Sequence, residues 1–287
     1  MKQFNLNMLR VVFATAILVF NMASLVSCGK ESDEPFSEYE NNKNDDKSDS
    51  NNGDNNDNTN SGQSISGYYN GYAYVDMGLS VKWATYNIGA KKPYETGGYY
   101  EWGDISTKTR YDIENSKWLY WDWDNSYPTS IIVKKYCTNS NCGILDNKVT
   151  LEITDDVASR SWKGNWRMPI KKEMEELVEQ CTWKWYSKGN EEYNGVAGYK
   201  VISKKNGNYL FLPAAGIYDL SEIKEVGEEG YYWTATLGDS DVECLTAYLL
   251  NFLSISDAYQ TAGNAIRNVI DGNALRSNGL QVRAVCP

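Results

Sequence analysis

The 287-residue chain contains no histidine. That absence excludes Ser-His-Asp and Cys-His nucleophile activation, imidazole-bound metals and a histidine pH switch together. Carboxylate-pair catalysis and tyrosine or lysine chemistry survive it. A basic stripe is missing too: the formal charge is −10, which argues against nucleic acid as a partner. Residues 1–27 carry +2, residues 29–66 carry −7 and residues 67–287 the remaining −5. No long apolar run is present. The most apolar stretch, residues 11–20 (VVFATAILVF), falls short of the about 20 residues that span a bilayer. There is no internal repeat.

The start of the chain is organised for export. Lys2 and Arg10 supply a thin positive region before residues 11–20, as in a signal peptide. Leu25-Val26-Ser27-Cys28-Gly29 follows and resembles the lipobox of bacterial lipoproteins. The resemblance implies cleavage after residue 27, diacylglycerol on the Cys28 thiol and a fatty acid such as palmitate on the new amino terminus. Several acyl chains, at about 0.8 kcal/mol per buried CH₂, make such anchoring effectively permanent. The plainer alternative is a secretory signal with a chance cysteine. Residues 28–66 are acidic and rich in Asn, Asp and Ser, with too little apolar surface to offset ordering, so a disordered tether is expected. Its first residues, 30–34 (KESDE), resemble the acidic export signal of surface-exposed lipoproteins in the Bacteroides group, although any acidic tether has this composition. The expected place is the outer membrane, lipid-anchored through Cys28 and facing the cell exterior.

From Gly67 the composition changes, and residues 67–287 are expected to form one domain. The 22 Tyr and 10 Trp suit strands and binding surfaces. Residues 75–84 read as a strand, a turn at Gly78 and a second strand. Thr154-Asp155-Asp156 opens a short helix that ends by Gly164. Positions 170, 174, 177, 178 and 181 follow a 3.6-residue period and predict the clearest helix of the chain. Short strands are expected at 195–203, 208–213, 230–236, 245–253 and 279–285. Strands that do not alternate with helices predict α+β.

Residues 74–84 (YVDMGLSVKWA), 87–90 (NIGA), 99–104 (YYEWGD), 164–169 (GNWRMP), 181–183 (CTW), 211–216 (FLPAAG), 230–233 (GYYW) and 279–285 (GLQVRAV) occur in the order of a known family. They resemble the Fibrobacter succinogenes major paralogous domain, found at the end of exported lipoproteins. That family is related to the C-type-lectin-like fold shared with formylglycine-generating enzymes. The resemblance implies a C-type-lectin-like α+β fold of mostly short antiparallel strands with two helices. It also implies that the first and last strands pair, with Val81 near Val282, and that a recognition face lies in the second half. It implies little about activity. Ile170 replaces the threonine that relatives use as a helix cap, a loss of about 1 kcal/mol. Thr234-Ala235 stands for a usual Ser-Ser, and Ala284 for a usual proline.

The candidate sites divide into framework and surface. Trp83, Trp102, Trp162, Trp166 and Trp233 read first as core. Arg167 with Asp155 and Asp156 reads as an internal ion pair before an acid/base dyad, because nothing supplies a nucleophile. Beyond Cys28 five cysteines remain, and Cys137 and Cys142 are close enough for a local loop disulfide. No second close pair suggests zinc, and the cysteines match no copper context. The Glu-Pro-Asn and Gln-Pro-Asp calcium loops of sugar-binding lectins are absent. No metal or cofactor is expected.

Residues 118–127 (WLYWDWDNSY) set three Trp and two Tyr beside two Asp. Aromatic faces stack on sugar C–H faces and carboxylates accept hydroxyl protons, so the stretch suits a glycan or a protein. Alternation would turn Tyr120 and Asp122 one way and Trp121 and Trp123 the other. Asp122 and Asp124 offer only two carboxylates toward the six to eight oxygens that calcium takes. The segment 238–278 is the second polar and aromatic region. The expected ligand-binding residues are Trp118, Trp121, Asp122, Trp123, Asp124, Tyr259, Arg267, Asn268 and Arg276. The expected function is non-catalytic binding of an extracellular glycan or protein. A structural subunit of a surface or fimbrial assembly is the alternative, and an enzyme of unrecognised chemistry a third.

The lipobox resemblance is checked by labelling cells with a radioactive fatty acid. Label should enter the wild-type protein and vanish from Cys28→Ala, which should leave the membrane fraction or remain unprocessed. Absence of label from the wild type would refute the anchor.

Overall fold

The computed structural model describes residues 64–124, 127–239, 244–254 and 274–287. The signal peptide, Cys28, nearly all of the tether and the candidates Tyr259, Arg267 and Asn268 lie outside the described residues.

Strand β1 (Gly67–Tyr69) turns into β2 (Tyr72–Val75), with Tyr69 opposite Tyr72. The turn is Asn70-Gly71, at φ 46° and 84°. Asn and Gly tolerate this left-handed backbone, whose twist matches the flanking strands. Strand β3 (Lys82–Ala84) pairs with β2, and the last strand, β14 (Val285–Cys286), pairs with β3. The opening motif and the chain end therefore meet, but in a different register from the expected one. Val285 stands opposite Trp83, and Val282 O accepts the Ile88 amide at 3.0 Å instead of lying by Val81. Residues 280 and 281 make only single bridges, to Tyr100 and Tyr232, so the closing strand is shorter than its sequence suggested.

A ribbon of β4 (Leu119–Asp124) and β5 (Tyr127–Val133) comes next. Two helices follow, α1 (Val157–Trp162) and α2 (Lys171–Gln180). The latter runs straight into β6 (Cys181–Tyr186), which forms a three-stranded sheet with β7 (Gly198–Ser203) and β8 (Tyr209–Pro213). Hairpin β9 (Ile217–Asp219) and β10 (Glu222–Lys224) precedes the longest pair, β11 (Glu229–Leu237) and β12 (Thr246–Leu253). Strand β13 (Ala274–Leu275) lies beside β12.

The α+β, C-type-lectin-like expectation is corrected. The described residues form five separate antiparallel sheets, none closed into a barrel, with helices of only six and ten residues. The chain is mainly β. Fewer than three helical turns in α2 give too narrow an apolar stripe to make a layer, and the aromatic, β-branched runs pair with one another instead.

Both expected helices exist and their caps explain where they start. The Asp156 carboxylate accepts the Ser159 amide at 3.0 Å and the Met168 amide at 2.8 Å. Ile170 has no hydroxyl to give α2, but Glu173 accepts the Ile170 amide at 2.9 Å. The Thr236 hydroxyl, from β11, accepts the Lys171 amide at 3.0 Å. A hydroxyl from a neighbouring strand thus serves the helix end whose own cap is missing. Arg167 forms a two-pronged pair with Glu173, at 2.7 and 2.5 Å, and not with the aspartates 155 and 156. The six-residue spacing across the start of α2 lets the guanidinium fork meet the carboxylate edge.

Two large apolar clusters fill the interior. One gathers Trp102, Trp162, Trp166 and Trp233; the other gathers Trp83, Leu177, Tyr199, Leu210, Tyr232 and Phe252. The expected tryptophan core is present. Indole N–H groups of Trp102, Trp166 and Trp233 donate to the carbonyls of Thr234, Tyr69 and Tyr100 at 2.8 to 2.9 Å. Between strands lies Arg283, fully buried. Its guanidinium donates to Asn87 Oδ1 at 2.8 Å and to the carbonyls of Ala84, Thr85 and Phe211 at 3.1, 3.0 and 2.8 Å. Burial pulls its pKa down to about 10, so it is still a cation at neutral pH.

Arg283→Met should lower unfolding free energy by about 3 kcal/mol or more, because it strands three buried carbonyls and an amide oxygen. Arg283→Lys should not restore it, since an ammonium cannot reach all four acceptors. Urea unfolding of both variants checks this; wild-type stability in either would refute it.

Candidate functional site

The β4–β5 ribbon leaves the body at a root held from several sides. Trp118, just before β4, donates its indole N–H to Gly103 O at 2.9 Å. Its ring lies under the ammonium groups of Lys117 and Lys135, at 4.6 and 5.2 Å. Ser116 Oγ accepts the amides of Trp118 and Leu119, at 3.3 and 3.1 Å. From the far side, Gly143 bridges Val133, and the Ile144 amide donates to Val133 O at 2.9 Å. A Cβ at Gly143 would lie 2.1 Å from that oxygen, so only glycine lets the loop close on the root.

The ribbon has an inner and an outer face only near this root. Leu119 and Val133 are buried with Cys137, Cys142 and Cys244, and Ile131 packs against them. Trp121, opposite Ile131, is half-buried. Tyr120 and Asp122 point outward, opposite Ile132 and Ser130. Alternation puts Trp123 on the same face as Trp121. The register shifts between Asp122 and Trp123, which stands opposite Pro128 and leaves Thr129 as the extra residue on β5. Proline has no N–H for the ladder. Trp123 is 55% exposed and Tyr127, opposite Asp124, is 76% exposed. Lys134 lies 4.8 Å over the Tyr120 ring. Tyr120, Trp123 and Tyr127 are exposed on the ribbon, and Ile144, whose amide meets Val133 at the root, is exposed as well.

Charges brace the root from beneath. Asp155 takes Lys117 at 3.0 Å, Lys135 at 2.5 Å and the Tyr136 hydroxyl at 2.6 Å. Glu152 joins Lys135 and Lys148 at 2.5 and 2.6 Å. Burial pushes the Asp155 carboxyl up, but the two ammonium groups and the phenol outweigh it and hold it below the ordinary value.

Several expected site residues prove to be framework. Trp118 belongs to the root. Arg276 is fully buried: Nη1 donates to the carbonyls of Cys244 and Tyr136 at 2.9 and 3.3 Å, and Nη2 to Lys135 O at 2.9 Å. Its guanidinium lies 4.8 Å from the Trp102 ring. A residue held by three carbonyls and a ring presents nothing to a ligand. Cys137 and Cys142 share one buried cluster with Cys244, and no disulfide joins any of the three in this structure; the Cys137 thiol donates to Asn139 O at 3.0 Å.

Trp121, Asp122, Trp123 and Asp124 do share one ribbon. The structure adds Tyr120 and Tyr127, both exposed; the sequence offered only the run Ile131-Ile132-Val133 as a mark of the second strand. Such a surface stacks rings on flat apolar faces and accepts hydrogen bonds through its carboxylates. Among the described residues no three His, Cys, Asp or Glu side chains converge as a metal site.

Asp155 supplies the pH prediction. A carboxyl depressed on folding stabilises fully above its unfolded value, about 3.9, and the contribution is lost as pH falls through the lower folded value. Asp155→Asn should therefore melt lower than wild type at pH 7, with the gap closing as pH falls below about 4. Parallel melting curves across that range would remove Asp155 from the root.

No protein-family model, no curated protein and no solved structure matches this chain, and the geometry of its surface is the guide to function.

Proposed function

We propose that this chain is a lipid-anchored, surface-displayed binding protein that docks an extracellular partner on the β4–β5 ribbon. The observation that carries the reading is the outward pair Trp123 and Tyr127 on a ribbon whose root is tied down by Trp118, Gly143 and Asp155. Large aromatic side chains on a rigid support bind with little loss of freedom. Aromatic faces serve a glycan or a protein equally. The exposed aliphatic residues Ile144 and Leu145, which follow the bridge at the root, extend the surface past a sugar's footprint and favour a protein. The lipobox around Cys28 and the paralogous-domain motifs support export and anchoring at the outer membrane. No helix of the described residues is long and apolar enough to cross a membrane.

A second reading, a subunit of a surface assembly, is favoured by one observation. The ribbon is a two-stranded sheet with no third strand beside it among the described residues, and such edges accept another strand.

A screen against extracellular proteins and a glycan array identifies the partner. Trp123→Ala and Tyr127→Ala should each weaken that binding about tenfold or more. Melting should stay within about 2 °C of wild type, because both side chains are exposed. Wild-type affinity in both variants would move the site elsewhere.

A further inference from the structure

Three of the five cysteines beyond Cys28 share the small cluster at the ribbon root, and two of these come from segments 107 positions apart. Cys137 follows β5. Cys244 begins the stretch that enters β12. The Sγ of Cys244 receives the Thr138 amide at 3.1 Å and lies 3.3 Å from the Thr138 hydroxyl, so it rests against the residue next to Cys137. One nitrogen of Arg276 donates to both Tyr136 O and Cys244 O, which pins the two backbones side by side. Cys244 itself is held at φ 64°, a left-handed conformation uncommon outside glycine and kept only where surroundings enforce it.

We propose that Cys137 and Cys244 are a disulfide pair, a covalent staple between the ribbon root and the start of β12. The two sulfurs differ in the way that such chemistry needs. Burial pushes the Cys137 thiol up. Burial also raises Cys244, but the hydroxyl and amide donors of Thr138 and Asn139 outweigh it and hold that thiol below its ordinary value. Cys244 keeps 5% of its surface in solvent and Cys137 none, so Cys244 takes the first step. The oxidant is a small-molecule or protein disulfide. The Cys244 thiolate attacks one of its sulfurs, and the oxidant's S–S bond breaks with loss of one thiolate. Cys137 then loses its proton and attacks Cys244 Sγ, releasing the second thiolate. The two cysteine sulfurs give up two electrons and two protons together, and the oxidant leaves as two thiols.

Cys181 and Cys286 lie in the two large clusters, away from this pair, and burial pushes their thiols up to about 12 and about 11. They stay reduced. The local alternative, Cys137 with Cys142, gives a different peptide map and is separated from the proposal by the same experiment.

The test uses the full chain purified in detergent, treated with oxidised dithiothreitol, alkylated and digested without reduction. A cross-linked peptide joining Cys137 to Cys244 is expected, with the chain lighter by two hydrogens and two fewer alkylated thiols. Reduction should then lower the melting temperature by on the order of 10 °C, given a closed loop of this length. Cys142→Ser should keep the cross-link, and Cys244→Ser should lose both the cross-link and the sensitivity to reductant. A Cys137–Cys142 peptide, or five alkylated thiols beyond Cys28 after oxidation, overturns the proposal on the wild-type chain alone, whatever the folding of the variants. The outcome is independent of ribbon binding, which the Trp123 and Tyr127 variants test separately.

Discussion

Two guanidinium groups near the chain end, those of Arg276 and Arg283, are buried without a carboxylate in hydrogen-bond contact. The hydrogen bonds they make go to main-chain carbonyls, with Asn87 the one side-chain acceptor, and Arg276 Nε is left without a partner among the described residues. The choice of partner matters for a fold made of many small sheets. Irregular connections leave carbonyl oxygens that no ladder satisfies, and a buried carbonyl without a donor costs about 1–3 kcal/mol. Arg283 collects carbonyl oxygens from the end of β3, from Thr85 just after it and from β8. Arg276 collects them from residues 135–136 and Cys244. Two side chains thereby knit together elements that share no sheet, and each is fixed by the closing segment that also supplies β14.

The ribbon depends on that knitting. Arg276 grips the backbone directly below β5, beside Lys135 and Tyr136, which contribute to the charged brace around Asp155. A tightly held root and a solvent-facing tip are the two halves of a useful binding arm. Rigidity below lowers the ordering penalty on contact, and aromatic area above supplies the gain. The halves divide along the length of the ribbon: near the root, side chains alternate between core and solvent, and toward the tip Trp123 and Tyr127 are both exposed.

Much of the local structure was legible. Asp156 and the spacing of Met174, Leu177 and Val178 located both helices, and runs such as 246–253 located strands. The buried tryptophans were legible as well, since their size and number leave few other places for them. The partners of charged residues were not. Arg167 was expected to meet Asp155 or Asp156 and meets Glu173, because side-chain reach at a helix start depends on backbone geometry and not on proximity in sequence. Arg276 looked like an interface residue by type and is core by position. Trp123 shares a face with Trp121 by alternation, yet it is 55% exposed where Trp121 is half-buried, because it lies further from the root along the ribbon.

The sequence by itself determined local matters: the absence of histidine chemistry, the apolar segment before Cys28, the acidic stretch after it, and the place of several strands and both helices. These follow from composition, period and caps, which act within a few residues. Only the tertiary structure decided that the chain is mainly β, that Thr236 caps α2 from another strand, and that Cys244 joins Cys137 and Cys142 in one cluster. Those outcomes rest on contacts between segments tens of residues apart, sometimes more than a hundred. Their selection depends on satisfying most buried polar groups together, a condition no single stretch of sequence expresses.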